Sequence, residues 1–400
     1  MTEPHVLTLQ RMAESAHIEL CERILPFWLG LEDSIHGGYF EAVDARGAVY
    51  PNAAKTAVFL SRMLWTMSEA ARRFEYGNCG EQARRTYLFL DRLRDQDSTG
   101  GYFASVTRDG KPYKRHKHIY AQAFVIFGLA GYASAFGDEP ARAKALDLFA
   151  MVEERAHNLE TGLYREAFDE FWQEIPNEDR SLGETVAPYT ADTHLHLVEA
   201  YTQLLRLTPC AEVRKALHDL VEIFLDRFIA EDGSFAHQKL DQALMPVPGM
   251  IWPGHDIEAS WLLTSASELL EDKELAPRVR AAARLLALGS VRHGASQNGG
   301  WAERVLDGQR APWCLWWVQA EAIVGTLNEG LRSGDPKMIE QTIAAWSFIK
   351  HYMIDQSYGD WRLRVTAAGL PDQACPRVIF WKDAYHQARA CMELIDHCSN

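Results

Sequence analysis

Apolar residues along this chain recur mainly with the spacing of helices. In five long segments they fall at positions i, i+3, i+4 and i+7, which places them on one face of a helix. The segments are AAKTAVFLSRMLWTMSEAARRF (53–74), HIYAQAFVIFGLAGYASAF (118–136), HLHLVEAYTQLLRL (194–207), DIEASWLLTSASELL (256–270) and WWVQAEAIVGTLNEGL (316–331). A more polar helical segment follows after a short break, as in EQARRTYLFLDRLRDQ and EVRKALHDLVEIFLDRFIA. The pattern therefore predicts helices arranged in consecutive pairs.

A glycine close to an aromatic residue, followed by alternating polar and apolar residues, recurs between the helix pairs. The motif is GGYF at 37–40 and again at 100–103, with weaker copies TGLYREAF (161–168), DGSFAHQ (232–238), NGGWAERV (298–305) and YGDWRLRV (358–365). The copies are about 60 to 70 residues apart, which indicates an internal repeat. Glycines in such positions are typical of turns that need a positive φ angle. The repeat unit is therefore a helix, a turn, a second helix and a glycine hairpin.

This repeat predicts the fold class. About six helix pairs, roughly twelve helices without parallel-strand segments, favour two concentric helical layers closed into a ring, an (α/α)6 toroid. We expect a single domain over residues 1–400. The less polar helices should form the inner layer, starting near residues 53, 118, 192, 255, 313 and 382. The long glycine-containing loops precede these helices, so a central cup is expected where the inner helices begin.

Composition and charge limit the possible functions. The chain has 400 residues, of which 47% are hydrophobic, enough for a large core. A net charge of -14 without any basic run argues against a nucleic-acid partner, because the phosphate backbone would be repelled. The first twenty residues lack the pattern of a signal peptide, and we expect no membrane-spanning segment and a cytoplasmic location. The 7 cysteines never form a CxxC pair, which favours reduced thiols over disulfides or a zinc site.

Polar residues at the starts of two inner helices are candidates for chemistry. In DTHLHLVEAY, Asp192 and His196 are four residues apart and share a helix face, whereas His194 should pack elsewhere. The H-x-H spacing cannot chelate one ion from a helix, so we expect no metal. In PGHDIEASWLL, His255 and Glu258 are three residues apart, and the carboxylate is expected to hold the imidazole in one tautomer.

The last two inner helices add a histidine and several tryptophans. His386 lies near Trp381 in FWKDAYHQARACMEL. The segment PWCLWWVQAEAI places Trp313, Trp316 and Trp317 ahead of Glu321, where an indole face can stack on a sugar ring. Three histidines from different inner helices, His196, His255 and His386, should thus meet at one end of the ring. Since phosphate-binding, dinucleotide and nucleophile motifs do not occur, the histidines favour proton transfer near neutral pH.

Several segments resemble a known enzyme family. They are SRMLWTMSEA, IYAQAF, THLHLVEAYT, GHDIEASWLL, WWVQAEA and the WKxxYHxxRAC pattern at the carboxyl-terminal end. The chain is similar to the N-acylglucosamine 2-epimerase superfamily over nearly its whole length, most of all to the cellobiose 2-epimerase branch. The resemblance implies an (α/α)6 catalytic domain that acts at C2 of a free, unphosphorylated aldose. Ring opening and proton transfer through a cis-enediolate would need no metal or organic cofactor.

The resemblance also implies roles for individual residues. His255 and His386 match the acid/base pair of the family, and His196 matches a third histidine linked to ring opening or to the enediolate. The positions that match substrate contacts are Arg62, Tyr120, Glu258, Glu321 and Trp381. Arg62 would stabilise an enediolate oxygen by its charge. Asp192, beside His196, and Trp317 complete the expected substrate-binding set.

The sequence leaves the outcome of the reaction open. Asp192 replaces an asparagine usual in cellobiose 2-epimerases, and Asp383, Ala384 and Gln387 alter the segment around His386. The added carboxylate should raise the pKa of His196. A monosaccharide or a disaccharide substrate, and a 2-epimer or a ketose product as in the related mannose isomerases, are all compatible with these residues. The assembly can be a monomer or a homodimer.

Two other classes of protein use similar folds. An (α/α)6 glycoside hydrolase would need two carboxylates across the scissile bond, which Asp192, Glu258 and Glu321 can supply. A hydrolase has no need of three converging histidines. A sugar-binding protein without activity would keep the tryptophans but have no use for the histidines. The sequence therefore favours an isomerase or epimerase over both.

Overall fold

The computed structural model describes residues 3–74, 76–96, 99–175 and 187–398, and within them the chain is mainly helical. In chain order the helices are α1 (Glu3–Glu19), α2 (Leu25–Leu29), α3 (Ala57–Phe74), α4 (Cys79–Leu90), α5 (Ile119–Phe136), α6 (Glu139–Arg155), α7 (Ala191–Leu207), α8 (Ala211–Ile223), α9 (Pro253–Leu270), α10 (Leu275–Gly294), α11 (Trp316–Ser333), α12 (Pro336–Phe348) and α13 (Tyr385–Cys398). A π-helical turn, Leu20–Ile24, joins α1 to α2, so these form one continuous outer segment.

Short strands lie in the loops that precede the inner helices. They are β1 (Lys55–Thr56), β2 (Ser105–Val106), β3 (Pro112–Lys114), β4 (Lys117–His118), β5 (Ala167–Phe168), β6 (Tyr189–Thr190), β7 (Lys239–Leu240), β8 (Val305–Leu306), β9 (Gln309–Arg310), β10 (Trp313–Leu315) and β11 (Arg364–Thr366). All of these strand pairings are antiparallel. The strands are two or three residues long, so they fasten loops together rather than form a sheet core.

The helices form two closed layers, which confirms the predicted (α/α)6 toroid. The helices α3, α5, α7, α9, α11 and α13 contact one another in that order, and α13 contacts α3 again. The outer helices α4, α6, α8, α10 and α12 pack against this ring, and α1 packs on α13 and α12. The apolar stripe of each outer helix is therefore buried against the ring. The inner helices are buried on nearly all sides, as their more apolar sequences predicted.

Helix α5 has the length and hydropathy of a membrane span but lies inside the protein. By length and composition alone, Ile119–Phe136 could span a bilayer, with a mean hydropathy of 1.5. In the structure 83% of this segment is buried inside the protein, between its neighbours in the ring and the outer helices. The segment is apolar all round because it is surrounded by protein on all sides.

Three inner helices begin later than the sequence predicted. Starts near 118, 192 and 255 agree within two residues with α5, α7 and α9, but those near 53, 313 and 382 precede α3, α11 and α13 by three or four residues. The residues before α3 and α11 are strands β1 and β10, which pair with residues of the following loop. Helical periodicity continued into these strands because their buried residues happen to suit both patterns.

The repeated glycine motif closes the ring at its loops. In each repeat, a residue just before an inner helix pairs with a residue that follows the next glycine turn. The six pairs are Lys55 with Val106, Lys117 with Phe168, Thr190 with Lys239, Ile251 with Val305, Trp313 with Thr366, and Val378 with Val43. The last pair joins the carboxyl-terminal loop to the first one. Gly37 and Gly38 have φ angles of +87° and +68°, which explains the glycines of the turn.

A polar side chain in the first turn of five inner helices binds the neighbouring glycine turn. Gln122 and Gln319 each bind both backbone groups of an aromatic residue, Tyr102 and Trp301 respectively. At the corresponding positions, His194 accepts from Tyr164 N, Asp256 accepts from Ala236 N, and Gln387 donates to Asp360. These contacts fix the rotation of each inner helix relative to its loop. His194 thus packs away from His196 on the opposite side of α7, as predicted.

Candidate active site

The buried charged side chains of the cup lie at one depth along the axis of the ring. Two residues after the five side chains that bind the glycine turns lie, in order around the ring, Phe124, His196, Glu258, Glu321 and Arg389, and Arg62 holds the equivalent position on α3. Equivalent positions in a repeat lie at the same depth, so these side chains surround the ring axis. All six are buried. A ring of ionisable groups shielded from water interacts far more strongly than the same groups at a surface.

His255 and His386 occupy equivalent positions in their repeats. Each directly precedes the residue that binds a glycine turn, on α9 and α13, the two helices that flank α11. The indole of Trp317, at the start of α11, lies between them, with ring centroids 4.9 Å from His255 and 5.8 Å from His386. The two imidazoles therefore approach the cup from opposite sides of Trp317.

Each of these histidines has one ring nitrogen held by an acceptor. Nδ1 of His255 is 2.8 Å from Oε1 of Gln238, and Nδ1 of His386 is 2.7 Å from Oε1 of Glu321. Acceptors at Nδ1 place the proton there and leave the lone pair of the neutral ring on Nε2. Burial lowers the pKa of His386 to about 3, although the hydrogen bond to Glu321 opposes this. His386 is therefore neutral at physiological pH and can accept a proton at Nε2.

His196 is held in the opposite charge state. Its Nδ1 is 2.8 Å from Oε2 of Glu199, and its Nε2 is 3.3 Å from Oδ1 of Asp192. Burial would lower its pKa, but these two carboxylates outweigh burial and raise the pKa to about 10. The predicted effect of Asp192 on His196 is confirmed. Asp192 is also 3.7 Å from Nε2 of His255, so one carboxylate oxygen lies between two of the histidines.

Arg389 connects the floor of the cup. Its guanidinium donates to Glu258 at 2.9 Å, to Glu321 at 2.6 Å and to Glu199 at 2.5 Å, and it also contacts the hydroxyl of Tyr385. These glutamates come from α9, α11 and α7, so one side chain joins four of the six inner helices. The guanidinium of Arg389 thus gives each of the three buried carboxylates a charge-assisted hydrogen bond.

Two of the three glutamates beside Arg389 have pKa values shifted in opposite directions. Burial tends to raise the pKa of Glu321, but Arg389 and His386 outweigh it and lower the pKa to about 2. Burial and the nearby charge of Glu321 raise the pKa of Glu258 to about 8. Ligand atoms of Glu258, Glu321 and His386 lie within 4.8 Å of one another, the spacing of a metal site. Here the guanidinium of Arg389 supplies the positive charge between the carboxylates.

The prediction that Glu258 holds His255 is wrong. Glu258 binds Arg389 on the floor, and the contact at Nδ1 of His255 comes from Gln238, in the segment leading into β7. The two side chains diverge in the first turn of α9. His255 is half-buried at the rim of the cup, whereas Glu258 is fully buried. A three-residue spacing permits such a contact but does not enforce it.

Arg62 lies among aromatic rings on the side opposite His255. Its guanidinium donates to the hydroxyl of Tyr120 at 2.8 Å and lies 4.2 Å from the centroid of Phe124. The nearest carboxylate is Asp383, with 3.6 Å between Nη1 and Oδ2. Trp381 packs edge-on against Tyr120, with centroids 5.9 Å apart. The predicted Arg62, Tyr120 and Trp381 are thus brought together, and a buried cation faces the cup.

The three tryptophans near Glu321 have separate environments. Only Trp317 packs against both catalytic candidates, His255 and His386. Trp316 is buried in the core behind His386, and Trp313 lies in β10 under the guanidinium of Arg364. Adjacent residues at a strand-to-helix junction point in different directions, which the sequence does not resolve.

Four residues of the site received no role from the sequence. Glu199 could have been identified, because it lies three residues after His196 on the same helix. Arg389 lies in the terminal WKxxYHxxRAC pattern, but its partners could not be predicted, because the three carboxylates are 68 to 190 residues away in sequence. Gln238 and Asp383 gave no local signal, because each contacts a group on another element.

Fold and site together define a class of protein, an (α/α)6 toroid with a cup built for proton transfer. The sequence pattern of the N-acylglucosamine 2-epimerase family matches residues 38–390, and the chain belongs to this family. It is 32% identical to the cellobiose 2-epimerase of Bacteroides fragilis over 94% of this chain and 97% of the relative.

Solved structures show the same relationship. The cellobiose 2-epimerase of Spirochaeta thermophila superposes with a TM-score of 0.92 at 35% identity, over 98% of this chain and 97% of that one. A D-mannose isomerase superposes with a TM-score of 0.82 over 96% of this chain and 97% of that one. At 19% identity the second likeness shows the fold alone.

Proposed function

We propose that this protein is a cofactor-independent sugar isomerase that acts at C2 of a free, unphosphorylated aldose, as a 2-epimerase of the cellobiose or mannose type. The substrate is glucose or mannose, either as a monosaccharide or as the reducing end of a β-1,4-linked disaccharide. The observation that carries the proposal is the pair of equivalent histidines, His255 and His386, on either side of Trp317. Family membership and the cellobiose 2-epimerases among the relatives support it.

The first step is opening of the pyranose ring. His196 is protonated at neutral pH because Asp192 and Glu199 raise its pKa to about 10. An imidazolium in the cup can protonate the ring oxygen while the proton of the C1 hydroxyl leaves, which breaks the bond between C1 and the ring oxygen. Asp192, ionised because His255 and His196 overcome the effect of burial and lower its pKa to about 2, can accept the leaving proton.

The second step moves the C2 proton. A neutral histidine takes the proton from C2, and the electron pair forms a cis-enediolate whose negative oxygen is stabilised by a buried cation. Arg62 provides that cation on one side of the cup. For the 2-epimer, the second histidine must start as the imidazolium, with a proton on Nε2 as well as on Nδ1, and deliver the Nε2 proton to the opposite face of C2 while the first histidine keeps the proton it removed. The Nδ1 contacts of His255 and His386 suit both histidines to exchange a proton at Nε2.

The geometry argues against glycoside hydrolysis. Two carboxylates of a hydrolase flank the scissile bond about 5 to 9.5 Å apart and one must be free to donate a proton. Glu258 and Glu321 instead share one guanidinium, that of Arg389, beneath the cup. Asp192 is engaged with His196 and His255. A protein that only binds sugar does not need neutral and charged histidines side by side. The site therefore also argues against a sugar-binding protein without activity.

A proton NMR time course in D2O tests the function. Mannose and then cellobiose are incubated with the protein, and the products and their deuterium content are followed. Glucose deuterated at C2, or glucosyl-mannose from cellobiose, establishes a 2-epimerase. Fructose from mannose with cellobiose unchanged shows that the proton goes to C1 and makes the protein a mannose isomerase. A gain of one water in the product mass, or no reaction with either sugar, contradicts the proposal.

Variants test the two-histidine assignment in the same assay. His255→Ala and His386→Ala should fold normally and lose exchange of the C2 proton. His351, exposed on the outer layer, supplies a matched control, and His351→Ala should retain full turnover. Full activity of either catalytic variant would contradict the assignment. We further propose that the protein acts in the cytoplasm as a monomer or a homodimer.

A further inference from the structure

Asp383 is a buried carboxylate that the proposed mechanism does not use. It lies just before α13, and its Oδ1 accepts a hydrogen bond from the backbone N of Tyr385 at 2.8 Å. The side chain is 1% exposed. Among the described residues none donates a hydrogen bond to its Oδ2, which is also buried. The closest cationic atom is Nη1 of Arg62 at 3.6 Å, beyond hydrogen-bonding distance.

Oδ2 of Asp383 is a buried carboxylate oxygen without a hydrogen-bond donor in the part of the chain that the structure describes, and it lies beside Arg62, a proposed substrate-binding residue. Nearly all buried polar groups in folded proteins have a hydrogen-bond partner, because burying one without a partner costs about 1 to 3 kcal/mol. The charged and titratable groups that face Asp383 are Arg62 on α3, Tyr120 on α5, and Glu41 and Lys382 from the loops. Lys382 is bound to Asp360 at 2.5 Å, and Glu41 accepts from Thr56. Both are therefore engaged elsewhere.

We propose that Arg62 and Asp383 act together as a specificity-determining pair that binds two neighbouring oxygens of the sugar. Arg62 donates to the oxygen on C2, and Asp383 Oδ2 accepts from the hydroxyl on C3. The inference rests on the proposed function, since it takes Arg62 as the group that binds an enediolate oxygen. Asp383 adds to that function by selecting the substrate through a hydroxyl that does not react.

The separation and charges of the pair fit a neutral diol. Arg62 and Asp383 form a loose ion pair, with 3.6 Å between Nη1 and Oδ2 and no hydrogen bond, so the oxygens of neighbouring hydroxyls can lie one at the donor and one at the acceptor. A sugar hydroxyl can donate and accept, so it satisfies both an anion and a cation. Asp383 and Asp192 would repel a phosphoryl group in the same cup. The pair therefore favours unphosphorylated sugars with a hydroxyl on C3.

The first test combines a substrate change with a protein change. The ratio kcat/KM is measured for mannose, 3-deoxymannose and 4-deoxymannose with the native protein and with Asp383→Asn. Loss of one charged hydrogen bond costs about 10- to 100-fold, so the native protein should discriminate against 3-deoxymannose by that factor. Asp383→Asn should lose a similar factor with mannose and little more with 3-deoxymannose. With the native protein, kcat/KM for 4-deoxymannose should be close to that for mannose. Asp383→Asn should lower both values by the same factor.

The matched control separates recognition from helix capping. Asn at 383 keeps an oxygen for Tyr385 N, so α13 should still begin correctly. Asp138 has the same capping role on the outer helix α6, where it accepts from Ala141 N, and Asp138→Asn should leave sugar discrimination unchanged. If Asp383→Asn does not fold, Asp383→Ser, which also caps helices, replaces it. Equal losses with all three sugars, or native discrimination against 4-deoxymannose alone, would overturn the proposal.

A binding measurement keeps this inference distinct from the proposed function. Calorimetric titration with glucitol and 3-deoxyglucitol, open-chain alcohols that cannot react and whose two ends differ, reports recognition without turnover. Weaker binding of the 3-deoxy alcohol to the native protein, but not to Asp383→Asn, supports the pair even if no aldose is converted. Turnover of mannose with equal binding of both alcohols would uphold the isomerase and reject the role of Asp383.

Discussion

Histidine has three different roles in this ring, and the surroundings of each side chain decide which. His194 binds a glycine turn, and burial lowers its pKa to about 4. His386, equally buried, has one carboxylate contact and remains neutral. Two carboxylates next to His196 are enough to reverse the effect of burial. One carboxylate more or less therefore decides whether a buried histidine of this protein serves as an acid or as a base.

Replacement of Asp192 tests this at the residue scale. Asp192→Asn removes one of the two carboxylates, so the pKa of His196 should fall below its present value of about 10. Because that pKa lies above the unfolded value of about 6.5, the charged histidine stabilises the fold below pH 6.5, and the stabilisation is lost as the pH rises towards 10. In the variant this loss should occur at lower pH.

NMR titration of the His196 ring, with thermal melts between pH 6 and 10, measures both effects. Ring opening by the variant should be slower at every pH, because Asp192 also accepts the proton of the C1 hydroxyl, and the difference should grow at pH 8 and above, where less imidazolium remains. An unchanged titration of His196 would show that Glu199 alone sets its charge. Since Asn and Asp have the same shape, packing is preserved in this comparison.

Glu258 leads to a second prediction on pH. Burial and Glu321 raise its pKa to about 8, so it is neutral at pH 7 and ionises above pH 8. The added negative charge would lie beneath the forming enediolate, and kcat/KM of the native protein should fall above about pH 8. Glu258→Gln stays neutral, so it should retain activity within about tenfold at pH 7 and lack this alkaline limb. The same limb in both proteins would assign it to another group.

How much of the site the sequence predicts depends on where the partners come from. The contact of Asp192 with His196 follows from a four-residue spacing on one helix. The converging histidines follow from the repeat, because equivalent helix starts must meet at one face. The contacts of Arg389 with three helices, and of Gln238 with His255, depend on the packing of remote elements. No local pattern encodes such contacts.

At the scale of elements, the glycine turns let loops and outer helices come close together. The sequence located all the turns, since their glycines and aromatic residues recur. It did not predict how the loops pair, because strands of two or three residues carry too little alternation to be recognised. This is also why the predicted starts of α3 and α11 included residues of β1 and β10.

Gly299 provides a test of the turns. It has a φ of +88°, and a Cβ there would overlap the carbonyl oxygen of Ala344 in α12. Gly308, at the tip between β8 and β9, has a φ of +73° and nothing within 4 Å of such a Cβ. Gly308→Ala should lower the free energy of unfolding by about 1 to 2 kcal/mol, through backbone strain alone.

Gly299→Ala adds a steric clash, so it should lose about 1 to 3 kcal/mol more than Gly308→Ala. Urea unfolding of both variants and the native protein gives the two differences. If both variants lose the same amount, backbone strain at positive φ accounts for the whole loss, and the contact with α12 contributes nothing.

At the scale of the whole molecule, closure of the ring places the start of α1 and the end of α13 at the face remote from the cup. The inner helices begin at the cup and end at the opposite face, where short turns lead into the outer helices. The outer segment α1 packs on α13, the last inner helix, so the two ends of the chain belong to neighbouring elements. At the face of the cup, the backbone pairing of Val43 with Val378 joins the loop after α2 to the loop before α13.

A circular permutant tests this arrangement. New ends are placed between Gly334 and Asp335, in the turn from α11 to α12 at the face remote from the cup, and the old ends are joined by a flexible linker. Gly334 has an open surrounding, and the break leaves every contact of the histidines intact. This permutant should fold and convert sugar at close to the native rate. A permutant opened at Gly299, where the loop packs on α12, should lose stability and activity together. Should the first permutant fold with an inactive cup, the rigidity of the site would depend on an unbroken α11–α12 pair rather than on closure of the inner ring.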